Sequence, residues 1–356
     1  MNLQDNLRYG YTTGSCAAAA SKAALYMLIN QKKISVVELL TPSGYDLLLD
    51  VEHTSVNSDY AECAVRKYAG DDPDVTNGLY IFSKVEFIEE KKNIIEITGG
   101  DGVGIVTKRG LSVEVGQYAI NPVPKEMIET EIKRILNNYG LDKGVKITIS
   151  IPKGEEVSKN TLNPKLGIKG GLSVLGTTGI VKPMSNEAFE HSLILEIKQV
   201  SLYSKLIVLS PGNIGLKKAL ELGFQRENIV TFGNFLYTAL EAIKVLDFKE
   251  VVLIGELGKL IKVAGGIYNT YSKIADARKE IFMYYLLTFM KGSIGYDLFS
   301  KLTLSTTTRE MASILHEYHV DVQGFFRFLE SVIAQRLFDY LGKDMTVQVI
   351  LFSEGE

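Results

Sequence analysis

Cysteine and histidine are scarce in this 356-residue chain, and the scarcity excludes several chemistries at once. Its two cysteines, Cys16 and Cys63, share no metal-ligand or redox spacing, so neither a thiolate metal site nor a disulfide framework is expected. The four histidines, His53, His191, His316 and His319, make no convincing metal set; His316 and His319 stand three apart on an expected helix and read as surface residues. An excess of one charge is also missing. Lys+Arg number 39 against 42 Asp+Glu, a net charge of -3, so no global field draws nucleic acid or an anionic membrane, and an anionic ligand has to be held by local groups. Long apolar runs are absent too: residues 282–290 fall short of the roughly 20 residues that a membrane span needs. The opening Met1-Asn2-Leu3-Gln4-Asp5 lacks the basic and then apolar regions of a secretory signal. The expectation is a cytoplasmic chain with no nucleic-acid partner, no membrane partner and no protein-bound metal; assembly into a homo-oligomer is left open.

What is present is the composition of a compact protein, with 46% hydrophobic and 23% charged residues. The length exceeds one ordinary core, and the texture changes near residue 200. Two domains are expected, 1–195 and 196–356. In the first, residues 17–31 are rich in Ala, Leu, Lys and Met without Gly or Pro, which predicts a helix. Short strands follow at 34–40, 45–51 and 61–68, the first two joined by the Pro42-Ser43-Gly44 turn. Residues 79–89 and 93–98 read as another hairpin. A helix over 125–139 starts behind proline, with Met127, Ile128, Ile132 and Ile135 at helical spacing; a strand is expected at 145–151. This domain is α+β with antiparallel strands.

In the second domain, strands at 205–209, 229–232 and 251–254 each empty into glycine: Gly212, Gly233 and Gly255, 21 and 22 residues apart. That rhythm predicts βα units in a short parallel sheet, whose carboxyl ends are where ligands bind in such folds. A mostly helical region begins at 274 and closes on a strand at 346–352, making this domain α/β.

Several loops are candidates for chemistry. Thr12-Thr13-Gly14-Ser15 stands before a helix, where hydroxyls cap N–H groups and the dipole favours an anion; Arg8 and Lys22 are close in sequence. An ordinary N-cap has the same look. Cys16 sits where a thiolate is stabilised, but no neighbouring histidine supplies a base, so a nucleophilic role is the less favoured reading. Gly99-Gly100-Asp101-Gly102-Val103-Gly104 follows a strand, yet it has neither the Gly-Lys-Ser/Thr of a P-loop nor the dinucleotide spacing, which disfavours a nucleotide-dependent kinase. Asp101 is a candidate polar anchor or general base, and equally a capping residue in a tight turn. The acidic run Asp71-Asp72-Pro73-Asp74 fails the calcium-loop register, with Asn77 at the glycine position and Ser83 at the glutamate position. Gly176-Thr177-Thr178-Gly179 repeats the Thr-Thr-Gly theme, followed by Lys182, and suggests a polar pocket shared with the first loop. Pro211-Gly212-Asn213-Ile214-Gly215 offers a glycine-lined helix start, and Gly255-Glu256-Leu257-Gly258-Lys259 puts a lysine just inside another helix.

Gly10-Tyr11-Thr12-Thr13-Gly14-Ser15-Cys16-Ala17, Gly100-Asp101-Gly102-Val103-Gly104, Ile120-Asn121-Pro122-Val123-Pro124, Asn163-Pro164-Lys165-Leu166-Gly167 and Leu175-Gly176-Thr177-Thr178-Gly179 occur in that order. Pro211-Gly212-Asn213, Gly258-Lys259-Leu260-Ile261-Lys262 and Ala275-Asp276-Ala277-Arg278 follow. The series resembles the CbiD family, the cobalt-precorrin-5B C-1-methyltransferases of cobalamin biosynthesis, over nearly the whole length. The resemblance implies S-adenosylmethionine as methyl donor and a cobalt-containing tetrapyrrole as acceptor. On that basis Gly212, Asn213, Gly215 and Gly255 are expected to hold the donor. Thr12, Thr13, Ser15, Thr177, Thr178, Lys182 and Arg278 are expected to grip substrate carboxylates, with Asp101 and Lys259 as catalytic candidates. The chain departs from the family pattern at Glu256 and Tyr271, where histidine is usual; a tetrapyrrole carrier that has lost methyl transfer is the alternative that these departures motivate.

Overall fold

The computed structural model describes residues 7–88, 92–183, 185–342 and 345–353. Outside these lie the opening residues 1–6, Glu89 at the end of an expected strand and Met184 beyond the second Thr-Thr-Gly loop. The chain forms two compact units, Met1–Asn186 and Glu187–Glu356.

The first unit opens with β1 (Gly10–Tyr11) and α1 (Thr13–Asn30), then β2 (Val36–Leu40), β3 (Asp46–Asp50), β4 (Glu52–Val56), β5 (Tyr60–Arg66), β6 (Tyr80–Ile88), β7 (Ile95–Gly99) and β8 (Ile105–Val106). It continues through α2 (Pro122–Asn138), β9 (Gly144–Ser150), α3 (Gly154–Ser158), β10 (Ile168–Lys169) and β11 (Ile180–Val181). The strand β4 was not foreseen. Helix α1 packs on α2, β5 and β6. Ala17, Ala18, Ala19, Ala20, Ala23 and Ala24 are all fully buried, because small side chains let helix and sheet backbones approach closely. The approach is close enough for Ser21 Oγ to reach Ser83 Oγ at 2.9 Å and for the Cys63 thiol to donate to Ala20 O.

The hairpin β2–β3 forms as expected, with Val36 opposite Asp50. The second expected hairpin does not. In the five-stranded order β4-β5-β6-β9-β7, β9 lies between β6 and β7, antiparallel to the first and parallel to the second. Val145, Ile147 and Ile149 of β9 are completely buried, so this strand takes an interior place that sequence proximity would have denied it.

The second unit runs α4 (Asn186–Ser201), β12 (Leu206–Ser210), α5 (Asn213–Glu221), β13 (Ile229–Thr231), α6 (Leu236–Lys244), β14 (Glu250–Glu256) and α7 (Leu257–Ala264). Then come α8 (Arg278–Phe289), α9 (Tyr296–Leu304), α10 (Thr308–Glu317), α11 (Val322–Leu341) and β15 (Thr346–Phe352). Position 195/196 falls inside α4. The four strands are all parallel, in the order β13-β12-β14-β15. Ile207, Leu209, Val251 and Leu253 face one core with α4, α6, α7 and α11, while Val208, Val252 and Ile254 face a smaller core with Ala219 of α5. Both faces are therefore covered, and the order reverses direction between β12 and β14. That reversal opens a crevice at the carboxyl ends of those two strands.

Candidate active site

The loops leaving β12 and β14 meet at the crevice. A Cβ on Gly255 would stand 2.9 Å from Pro211 Cγ, so the close approach of the two loops depends on glycine there. Gly215 serves the same end on the other side: a side chain would overlap Ser210 Oγ and crowd Ile254 O, forcing α5 off the sheet. Gly212 differs. Its backbone is extended, and a Cβ would meet nothing within 4 Å. Together with exposed Asn213 it forms an open helix start.

Beside it lies a cleft of about 350 Å³, lined by Glu256, Lys259, Arg278, Thr307, Thr308 and Arg309 among others. Three helices begin there: α7, α8 and α10. The first turn of α7 abuts α10, since a Cβ on Gly258 would lie 2.9 Å from Thr308 Oγ1. Lys259, Arg278 and Arg309 line it with one carboxylate, Glu256, while Asp276 pairs with Arg278, and the helix N-termini add to the positive field. Lys259 Nζ donates to Asn234 Oδ1 at 2.9 Å, and burial holds its ammonium below the ordinary lysine range, against the opposing pull of Glu256. Arg278 makes a two-point pair with Asp276, Nε to Oδ1 at 2.6 Å and Nη2 to Oδ2 at 2.8 Å. That pair raises the guanidinium and lowers the carboxyl, fixing the fork at the rim. Such a site suits an anionic, carboxylate-bearing guest.

The first unit brings its two Thr-Thr-Gly loops together through pairing of β1 with β11, Gly10 opposite Val181. The hydroxyls of the first loop are turned into the fold. Thr12 caps α1 by accepting from Ser15 N at 3.1 Å, and Ser15 Oγ donates to Gly179 O at 2.7 Å. Thr13 Oγ1 accepts from Leu175 N at 3.0 Å and reaches the Ser173 and Leu175 carbonyls. All three residues are buried, whereas Thr177, Thr178 and Lys182 on the second loop are exposed. The neighbouring cations are engaged elsewhere: Arg8 with Asp71, and Lys22 with Glu131. Burial pushes the Cys16 thiol up to about 12, which removes the thiolate that nucleophilic chemistry requires.

In the glycine-rich run, a side chain on Gly102 would overlap the Ile151 carbonyl, and one on Gly104 would strike Ile168. These glycines allow tight backbone packing, and Asp101 is left exposed at the turn while its carbonyl accepts from Ile151 N at 2.7 Å. The acidic 71–78 loop is likewise tied down, Asp71 by Arg8 and Asp74 by the buried Lys67.

The CbiD family profile matches residues 1–183, and the profile for the CbiD C-terminal domain matches 269–356. A protein of Thermoanaerobacter sp. (strain X514), named cobalt-precorrin-5B C(1)-methyltransferase, is 47% identical over 348 residues, 98% of this chain and 93% of that protein. The chain belongs to the CbiD family. A relative of the same name from Methanocaldococcus jannaschii is 45% identical over 333 residues, covering 93% of this chain and 90% of its own. The crystal structure of the cobalamin biosynthesis protein (cbiD) from Archaeoglobus fulgidus shares 30% identity over 76% of this chain and 84% of that one, with a TM-score of 0.41.

Among the CbiD motifs, Gly258-Lys259-Leu260-Ile261-Lys262 supplies the cleft lysine, and Ala275-Asp276-Ala277-Arg278 supplies the paired arginine. Glu256, at the end of β14, lines the cleft; Tyr271 is exposed on the segment before α8. Sequence reasoning did not single out Asn234, which accepts from both Lys259 Nζ and Thr270 Oγ1, nor Thr307, Thr308 and Arg309 at the start of α10. Asn234 follows the glycine at the end of β13, and that placement was its available signal. The α10 residues carried none, because they are far along the chain from every glycine-ended strand.

Proposed function

We propose that this CbiD protein transfers the methyl group of S-adenosylmethionine to ring carbon C-1 of cobalt-precorrin-5B, forming cobalt-precorrin-6A in anaerobic cobalamin biosynthesis. The observation that carries the reading is the cationic cleft at the carboxyl edge of the parallel sheet, in a chain whose full-length relatives bear the methyltransferase name. A tetrapyrrole with acetate and propionate arms is the kind of guest that Lys259 and Arg278 would hold.

S-adenosylmethionine supplies an electrophilic methyl on a sulfonium, so attack by an electron-rich ring carbon is an in-line displacement in which positioning provides much of the rate. In this reading Gly212 admits the donor closely, Asn213 hydrogen-bonds it, and Gly215 and Gly255 keep the surrounding loops packed. Lys259 and Arg278 anchor carboxylates. On the first unit, taken by itself, exposed Thr177, Thr178 and Lys182 are the candidates for binding a carboxylate, the Thr178 hydroxyl also bonding Ile180 of its own loop, with Thr12, Thr13 and Ser15 holding their loop from beneath. Asp101, exposed and flanked by glycine, is assigned to the ring proton.

Anaerobic incubation with cobalt-precorrin-5B and S-adenosylmethionine tests the reaction by mass spectrometry. A product heavier by one methyl group is expected. Binding of the tetrapyrrole without such a product would establish a carrier instead, the reading that Glu256 and Tyr271 would then explain. For the donor site, Gly212→Val should weaken S-adenosylmethionine at least about tenfold by calorimetry with folding intact, since the added Cβ has open space. Unchanged affinity would put the donor elsewhere.

A further inference from the structure

Helix α7 carries a second lysine that the cleft does not use. Lys262 lies one turn beyond Lys259 and is only 2% exposed. An ammonium removed from water is costly unless it finds good acceptors, and a leucine or methionine would fill the space without that cost. The acceptors come from a single turn: Lys262 Nζ donates to Thr270 O at 3.0 Å and Ala275 O at 2.8 Å. Beyond Thr270 few other bonds hold the turn, among them Tyr271 N to Asn269 Oδ1 at 3.0 Å. Tyr271 is 41% and Ile274 66% exposed, and its internal bonds are few, Ile274 N and Ala275 N both donating to Tyr271 O.

The anchor is continuous with the cleft. Thr270 is buried, and its Oγ1 lies 3.2 Å from Asn234 Oδ1, the same atom that accepts from Lys259 Nζ. Thr270 N also donates to Asn234 O at 3.1 Å. Downstream, Ala275 leads directly into the Asp276–Arg278 pair at the start of α8. We propose that Lys262 is a positioning residue: its buried ammonium holds the 270–275 turn so that Lys259, through Asn234 and Thr270, and Arg278, through the chain, stand preset in the cleft. The kinetic part of this rests on the methyl-transfer reading; the structural part does not.

Two variants of the full chain, Lys262→Met and Lys262→Arg, test it. In hydrogen-exchange mass spectrometry without ligand, the Met variant should exchange residues 269–277 at least about tenfold faster, with β12 and β14 unchanged. The Arg variant, still able to donate to both carbonyls, should lie within about threefold of the parent. In methyl transfer, KM for the tetrapyrrole should rise about tenfold in the Met variant with a smaller change in kcat, and fall back in the Arg variant. Parent-like exchange at 269–277 in the Met variant, or equal loosening by Met and Arg, would overturn the proposal. Should Lys262→Met not fold, Thr270→Val keeps the carbonyl that Lys262 binds and the backbone bond to Asn234 O, and removes only the hydroxyl bond to Asn234 Oδ1. Faster exchange at 233–236 is then expected, and parent-like exchange there would overturn the proposal. A parent chain without methyl transfer refutes the functional reading and leaves the exchange measurements to decide the role of Lys262.

Discussion

The Thr12-Thr13-Gly14-Ser15 loop and the Glu256-Leu257-Gly258-Lys259 loop both start a helix, and both look in sequence like anion sites. In the first, all three hydroxyl residues are buried: Thr12 Oγ1 caps its own helix by accepting from Ser15 N, while Thr13 and Ser15 bond the backbone of a partner loop some 160 residues away, as the 162-residue separation of Thr13 and Leu175 illustrates. In the second, Lys259 reaches into a cleft beside Arg278 and the start of α10. The difference lies in what each loop meets. A hydroxyl that faces unpaired backbone groups in a dry interior is worth more there than in water, so the first loop is consumed by folding. The helix start at the carboxyl edge of the parallel sheet instead lines a cleft, with Lys259 bonded to the side chain of Asn234 rather than to backbone.

The contrast can be broken at several levels of effect. The largest is Gly102→Val: a left-handed φ of 69° and overlap with Ile151 O should cost on the order of 3 kcal/mol, read as a collapse of the thermal midpoint of the first unit. Next is Lys259→Met, expected to lower kcat/KM about a hundredfold while the chain stays folded. Burial lowers the Lys259 pKa, so the native state releases this proton at a lower pH than the unfolded chain. Stability therefore rises with pH between the lowered value and the ordinary lysine value near about 10.4, and the Met variant should lose its share of that rise in denaturant titrations.

A paired measurement sharpens the comparison further. Thr13→Val leaves Leu175 N without its acceptor and should cost about 2 kcal/mol of stability, with activity per folded molecule retained. Thr177→Val, at an exposed position, should leave the midpoint alone and weaken tetrapyrrole binding about threefold. Equal stability losses for both would erase the distinction between a structural loop and a presenting one. The smallest effect is at Cys16: with its thiol pushed up to about 12, iodoacetamide at neutral pH should label it only after denaturation, and Cys16→Ala should retain activity.

Much of the second unit was legible because its strands are short and apolar, three of them with glycine at or just beyond the carboxyl end: β12, β13, β14 and β15 all lie where the residue pattern predicts them. The helices α1 and α2 were legible for the same local reasons, composition in one and proline with helical spacing in the other. The 79–98 region was not, because a strand's existence is written in its own residues but its neighbours are not. Residues 144–150 outcompeted the adjacent segment for the place beside β6. In the site, Lys259 and Arg278 could be named in advance from motif resemblance. Asn234, Thr270 and the α10 residues needed the fold, since their roles consist of distances between segments far apart in the chain.

Sequence by itself determined the family, the glycine at or just beyond the carboxyl ends of three parallel strands and the absence of any global charge to draw a partner, all properties of local order and composition. Only the tertiary structure decided which polar groups remain available. Thr13 and Lys259 are equally polar on paper, but burial against backbone commits one to the fold, and the carboxyl edge of a parallel sheet leaves the other lining a cleft. That choice is made by contacts across long loops, whose energies no single stretch of residues contains.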